Sequence, residues 1–209
     1  MFNYENLVKN LQQFADQSEL KPLTIGEALD TLDEAGYAFI AIILVLPFLQ
    51  PLPLGPITVL GGIAFATLGW QLFNHHESPV LPEKLRSVEF SALTWQILVN
   101  VCLKILGFCR KFTKPRYQSL INGKRGQKIG GFILLAAGAL MAIPFGVLPF
   151  NNMLPGLAVL FYCIGELEDD GLMFYIAFFW LIFTIVYFCA FFFMLWYFGK
   201  EALTSFNFK

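Results

Sequence analysis

The chain has 209 residues, 57% of them hydrophobic and only 14% charged, with 24 Phe. A soluble domain carries about 25% charged residues, so this composition argues against a soluble enzyme and for one compact polytopic membrane unit. The formal net charge of −1 hides a segregation: residues 1–34 carry seven acids against Lys9 and Lys21, whereas residues 77–128 carry ten bases against Glu77, Glu83 and Glu89.

The N-terminal stretch is acidic and polar, with no basic lead into an apolar core, which argues against a cleaved signal peptide. Leu7, Leu11 and Phe14 predict a weak amphipathic helix over 3–18, closed by Pro22. Thr24-Ile25-Gly26-Glu27 then fits a capping box, with Thr24 as the cap and Glu27 reaching back. Acids at 27, 30, 33 and 34 suit the positive end of a helix, so a helix from Ile25 is expected to run through Gly36 into the apolar segment. The competing reading is a separate cytosolic helix broken at Gly36.

Ala35–His76 contains no Asp, Glu, Lys or Arg, yet Pro47, Pro51, Pro53 and Pro56 interrupt it. Proline lacks the N–H of a continuing helix and clashes with the turn before it. Tyr37–Leu46 offers ten apolar residues and Ile57–Phe73 seventeen, while a spanning helix needs about 20. The two arms predict a helical hairpin over about 24–73 with a Pro-rich tip, either spanning fully or re-entering on the same side. Gly61, Gly62 and Gly69 give its return arm a small-residue face suited to close packing in lipid.

Residues 74–128 form a basic connector. His75-His76 is not expected to bind metal, because adjacent helical side chains diverge and no third ligand is near. Over Ser91–Cys109, Gln96, Asn100 and Lys104 draw one polar stripe on an apolar helix, which suits the membrane interface or a span facing a cavity. Basic loops stay cytoplasmic, which places 77–128 inside. For the basic 110–128 segment beside a bilayer, anionic lipid headgroups are the expected partner rather than nucleic acid.

Ile129–Gly165 is a second charge-free run, broken by Pro144, Pro149 and Pro155. It repeats the plan of the first: an arm to Ile143, a tip, and a return arm from Gly156, giving a hairpin over about 129–166. Such paired interrupted segments point to a binding site. Glu166, Glu168, Asp169 and Asp170 follow; four acids could hold a cation, but they also suit the start of the next helix. From Gly171 to Gly199 run 29 uncharged residues, about 43 Å of helix against a hydrocarbon core of about 30 Å. This is the unambiguous transmembrane helix, followed by a tail over 200–209.

No nucleophile elbow, P-loop, dinucleotide fingerprint or zinc spacing occurs, so no catalytic residue, cofactor or metal is expected. Cys102, Cys109, Cys163 and Cys189 are scattered singly and read as small core residues. The groups left polar at depth are Gln50, Thr58, Gln71, Asn151 and Asn152, with backbone carbonyls freed by the prolines; they can bind a cation or small solute, or satisfy one another where the two hairpins pack. The candidate ion or solute pathway is Gln50, Pro53, Gly55, Gln71, Asn151, Asn152 and Pro155.

Several stretches carry a resemblance: Leu23-Thr24-Ile25-Gly26-Glu27-Ala28-Leu29-Asp30, Leu46-Pro47, Pro51-Leu52-Pro53-Leu54-Gly55, Leu60-Gly61, Gln71-Leu72 and Leu81-Pro82. In the second half they are Ile143-Pro144-Phe145, Leu148-Pro149-Phe150-Asn151, Leu154-Pro155 and Leu167-Glu168-Asp169-Asp170-Gly171. In this order and spacing, from about Leu23 to Tyr197, the chain resembles the ExoD family of bacterial membrane proteins. The resemblance implies a multi-pass inner-membrane protein associated with exopolysaccharide synthesis and with tolerance of alkaline conditions. The chain departs from the family pattern at Asp169, where that pattern has Arg, and at Val80, where it has Trp.

The expectation is thus an all-α integral membrane protein: an amphipathic segment over 1–23, then one membrane domain over 24–199. That domain holds two Pro-broken hairpins as an internal repeat and one long C-terminal helix. The expected activity is transport or sensing of an ion or small solute between the hairpin tips. The alternative is a non-transporting scaffold of an exopolysaccharide assembly, with that machinery or a second copy as partner.

Overall fold

The computed structural model describes residues 35–52, 54–76, 78–80, 83–87, 89–144 and 148–206, together with Lys9, Gln13, 23–24 and 26–27. Apart from Lys9 and Gln13, which are helical, the expected helix over 3–18 lies outside the described residues, as do residues 28–34 and Pro53. Among the described residues the fold is helical except for one short antiparallel pair, β1 (Leu23–Thr24) with β2 (Glu89–Phe90). The capping box is present: the Thr24 N–H donates to Glu27 Oε2 at 3.0 Å, and the Glu27 N–H donates back to Thr24 Oγ1 at 3.2 Å.

The first hairpin has α1 (Ala35–Val45), a 3-10 turn at Leu46–Leu49 that accommodates Pro47, and α2 (Pro56–Phe73). Gly55 turns the chain at φ +57°, a conformation open to glycine, and Pro56 then takes the first helical position, where no N–H is needed. A one-turn α3 (Glu83–Arg86) leads to α4 (Ala92–Cys109), which Ser91 caps through its hydroxyl. Trp95 and Val99 bury one side of α4, while Asn100 and Lys104 of the polar stripe are exposed.

The second hairpin differs in its limits from the charge-free run. Its outward arm, α5 (Gly123–Ala142), begins six residues before Ile129 and takes in Lys124, Arg125 and Lys128. Its return arm, α6 (Met153–Leu167), begins before Gly156, with Pro155 inside the first turn, where proline costs no hydrogen bond. The last helix, α7 (Gly171–Phe206), continues past Gly199.

Both hairpins point the same way, so their tips meet and their open ends share a base. The outward arm α5 lies antiparallel against α2, and α6 against α1. Between α2 and α5 the backbones touch. A Cβ on Gly62 would lie 2.6 Å from the Gly138 carbonyl oxygen, and one on Gly69 2.7 Å from that of Gly131. Reciprocally, a Cβ on Gly138 would stand 2.6 Å from the Gly62 oxygen. Tyr37, Ile42, Phe65, Ile133, Leu134, Tyr162 and Phe174 fill the core around this contact. At the base, the Tyr37 hydroxyl donates to the Ser78 carbonyl at 3.0 Å, and the His75 ring pairs with Gln127.

Helix α7 starts at the base and runs along α6 to the tips, where the Tyr187 hydroxyl donates to the Pro149 carbonyl at 2.9 Å. That point is about 24 Å along the helix. Beyond it, Phe192, Phe193, Met194, Leu195, Trp196, Tyr197 and Phe198 are all exposed. Pro56–Phe73 and Gly171–Phe198 are long and apolar enough to cross a membrane.

Candidate functional site

The tips meet through one side chain. Asn152 is wholly buried, and its Nδ2 lies 3.2 Å from the Phe48 carbonyl, 3.3 Å from that of Gln50 and 3.2 Å from that of Leu52. These carbonyls are available because Pro51 lacks an N–H and the chain is irregular over Gln50, Pro51 and Leu52. Asn152 also stands at the N-cap position of α6 but makes no capping bond there. Its Oδ1 is buried with no hydrogen-bond partner among the described residues.

Beside this junction is an open cavity of about 500 Å³, lined by Gly55, Pro56, Thr58, Val59 and Leu60 from the first hairpin and Ile143, Pro144 and Asn151 from the second. Its walls are mainly apolar. Thr58 is 1% exposed, and its Oγ1 has no hydrogen-bond partner among the described residues. The N-terminal ends of α2 and α6 both point to this region, bringing two positive dipole ends close to each other.

Of the residues expected at the pathway, Gly55 and Asn151 line the cavity and Asn152 ties its two halves together. Gln50 is exposed at the first tip, and Pro155 is buried in the first turn of α6. Gln71 stands at the opposite end of α2, about 24 Å from Gly55. There its Nε2 donates to the Val80 carbonyl at 3.0 Å, and its Oε1 accepts the Val80 N–H at 2.7 Å. This two-point clamp holds the segment after the first hairpin. Of the expected breaks, Pro51 stays in the irregular tip, Pro47 sits in the 3-10 turn, Pro56 opens α2, Pro144 follows α5, and Pro149 lies in the turn before α6. Thr58, polar at depth in the sequence but not among the expected pathway residues, also lines the cavity.

The acidic cluster divides at the base rather than opening α7 as a block. Glu166 belongs to α6, and Glu168 is its C-cap. Asp169 takes a left-handed conformation at φ +54°, and the Asp170 N–H bonds to the Gly165 carbonyl at 3.0 Å, which together close α6 in a Schellman turn. Asp170 alone caps α7, accepting the Leu172 N–H at 3.0 Å. It is wholly buried and also takes the Lys114 N–H at 3.1 Å and a two-point contact from Arg116 at 2.9 and 3.2 Å. Burial pushes the Glu168 carboxyl up to about 7, against the opposing pull of Arg110 and the Thr113 hydroxyl. Among the described residues no group of three metal-ligating side chains assembles.

This geometry defines a class: a mainly helical protein with two helices long and apolar enough to cross a bilayer. The family model described as "Exopolysaccharide synthesis, ExoD" matches residues 7–190, and the chain belongs to the ExoD family. It is 26% identical over 168 residues to Protein ExoD of Rhizobium meliloti (strain 1021), a match covering 80% of this chain and 70% of that protein. No solved structure matches.

Proposed function

We propose that this ExoD-family chain is an integral protein of the bacterial inner membrane, and that it binds an ion or small solute at the tip cavity for transport or sensing. The observation that carries this reading is the meeting of the two broken backbones at Asn152, beside a cavity with the buried Thr58 hydroxyl. Irregular backbone at membrane depth is tolerated where it is buried in protein or lines a cavity.

The length of α7 supports tips that lie within the bilayer. Tyr187 is level with the second tip, and α7 continues beyond it through the exposed apolar run Phe192–Phe198, about 16 Å further. If α7 spans, both hairpins turn back inside the hydrocarbon, with the basic base on the cytoplasmic side. Topology reporters at positions 85, 120 and 169 then read cytoplasmic, while 205 reads external. An external reading at 54 or 150 would reject re-entry.

The functional test is flux into proteoliposomes holding the purified chain, across a range of pH and salts. Thr58→Val and Asn151→Ala should slow uptake while leaving the protein folded. The same rates with and without protein would reject transport. A non-transporting scaffold is the second reading, favoured by Lys111, Lys114, Lys124, Arg125 and Lys128, which are all exposed at the base. It predicts no flux and a retained exopolysaccharide-assembly partner after gentle detergent extraction.

A further inference from the structure

A second cavity, of about 610 Å³, lies on the other side of α6 from the α2–α5 pair. Leu160, Phe161 and Ile164 of α6 form its floor, with Leu46 and Leu49 at the tip end and Met173 and Ile176 from α7. Lys104 and Phe108 of α4 and Phe112 and Thr113 of the following loop close the base end. Its walls are almost wholly apolar, so water gains little there and a flexible hydrocarbon gains much.

The polar groups are confined to one end. Lys104 is exposed at the rim, and exposed Lys111 and Lys114 flank the lining pair Phe112-Thr113. Among the described residues none of these three lysines is in an ion pair. An apolar cleft of this size, ending at unneutralised lysines on the base side, has the polarity of an anionic amphiphile: hydrocarbon inward, negative head at the base. Glu168 stands behind Thr113, and its burial and raised pKa lessen the charge it sets against such a head.

We infer that this cleft is a binding site for an anionic phospholipid, with one acyl chain along α6 towards Leu46 and Leu49 and the phosphate at Lys104, Lys111 and Lys114. The site is separate from the tip cavity and does not depend on transport.

The test uses the full chain in detergent, exposed to an equimolar mixture of phosphatidylglycerol and phosphatidylcholine of the same acyl composition, with bound lipid counted by native mass spectrometry. Wild type should retain phosphatidylglycerol preferentially. Lys104→Gln should reduce that preference about fivefold, the scale of one lysine beside an anionic headgroup. Adding Lys111→Gln and Lys114→Gln should abolish it. Ile176→Trp, which fills the cleft, should reduce retention of both lipids, and its thermal midpoint reports whether it has folded. Lys124→Gln with Lys128→Gln should leave the preference intact, since these lysines lie on α5. Equal retention of the two lipids by wild type, or an equal loss in the α5 variant, would overturn the proposal.

Discussion

Asn152 places its side-chain amide 3.2 Å from the carbonyl of Phe48, a residue 104 positions earlier in the chain. The same nitrogen lies 3.3 Å from the Gln50 carbonyl and 3.2 Å from that of Leu52, so the two hydrogens of one amide are shared among three backbone carbonyls of the first tip. Asn152→Ala leaves these acceptors unpaired in a buried place, which should cost about 1–3 kcal/mol. Asn152→Asp should cost more, because a carboxylate would face carbonyl oxygens. Thermal unfolding of the purified protein checks both; a midpoint unchanged in Asn152→Ala would show that the tips are held by other contacts.

Gly69 is equally intolerant of change for a steric reason. A Cβ there would stand 2.3 Å from the Leu135 backbone nitrogen, and backbone cannot swing aside as a side chain can. Gly69→Ala should destabilise by about 1–3 kcal/mol through overpacking, and larger residues by more. Gly107 in α4 is the control: a Cβ there meets nothing within 4 Å, so Gly107→Ala should be neutral or stabilising by up to about 1 kcal/mol. The denaturation midpoint should fall in Gly69→Ala and hold or rise in Gly107→Ala.

Asp170 joins the α6–α7 corner to the basic loop. Asp170→Ala removes a helix cap and the partner of Arg116 together, and its loss should exceed the ~1 kcal/mol of a cap alone. Asp170→Asn should recover part of the loss through the Leu172 contact. Matched urea or thermal melts of the two variants report the difference.

Glu168 gives the fold a pH dependence of definite sign. Its carboxyl titrates near 4.5 when solvated and at about 7 in the folded chain, chiefly because burial disfavours the charge. The folded state therefore holds the extra proton between these values. Its stabilising contribution is complete below about 4.5 and is lost as the pH rises through about 7. Glu168→Gln should melt above wild type at about pH 8.5 and level with it at about pH 4. Parallel midpoints across the range would remove Glu168 from this role.

Local features are legible where chemistry and neighbours lie close in the chain. Thr24 and Glu27 declare their capping box within four residues, and Pro56 marks the start of α2 by its own geometry. The start of α5 is obscured because the loss of charge at Ile129 is not a helix boundary: lysine and arginine are good helix formers and carry the helix back to Gly123. The small face of Gly62 and Gly69 is evident, but nothing in their spacing names Gly138 and Gly131 as partners across the two hairpins. Asn152 stands out as polar at depth; that its amide serves the other tip depends on a fold that brings distant segments together. Gln71 looks similar in sequence and is a clamp at the base, because polarity alone does not say which end of a helix a residue serves.

The glycine pairs in α2 and α5 bear on how the tips can move. Gly62 with Gly138 and Gly69 with Gly131 form two backbone contacts one heptad apart, with no side chain between them to change rotamer. Sliding α2 along α5 would drive the neighbouring Cβ atoms of Ala66, Leu135 or Ala142 into backbone. The pair therefore behaves as a single rod, and movement at the tips falls to α1 and α6, which the Asn152 amide ties to each other through the turn after α1.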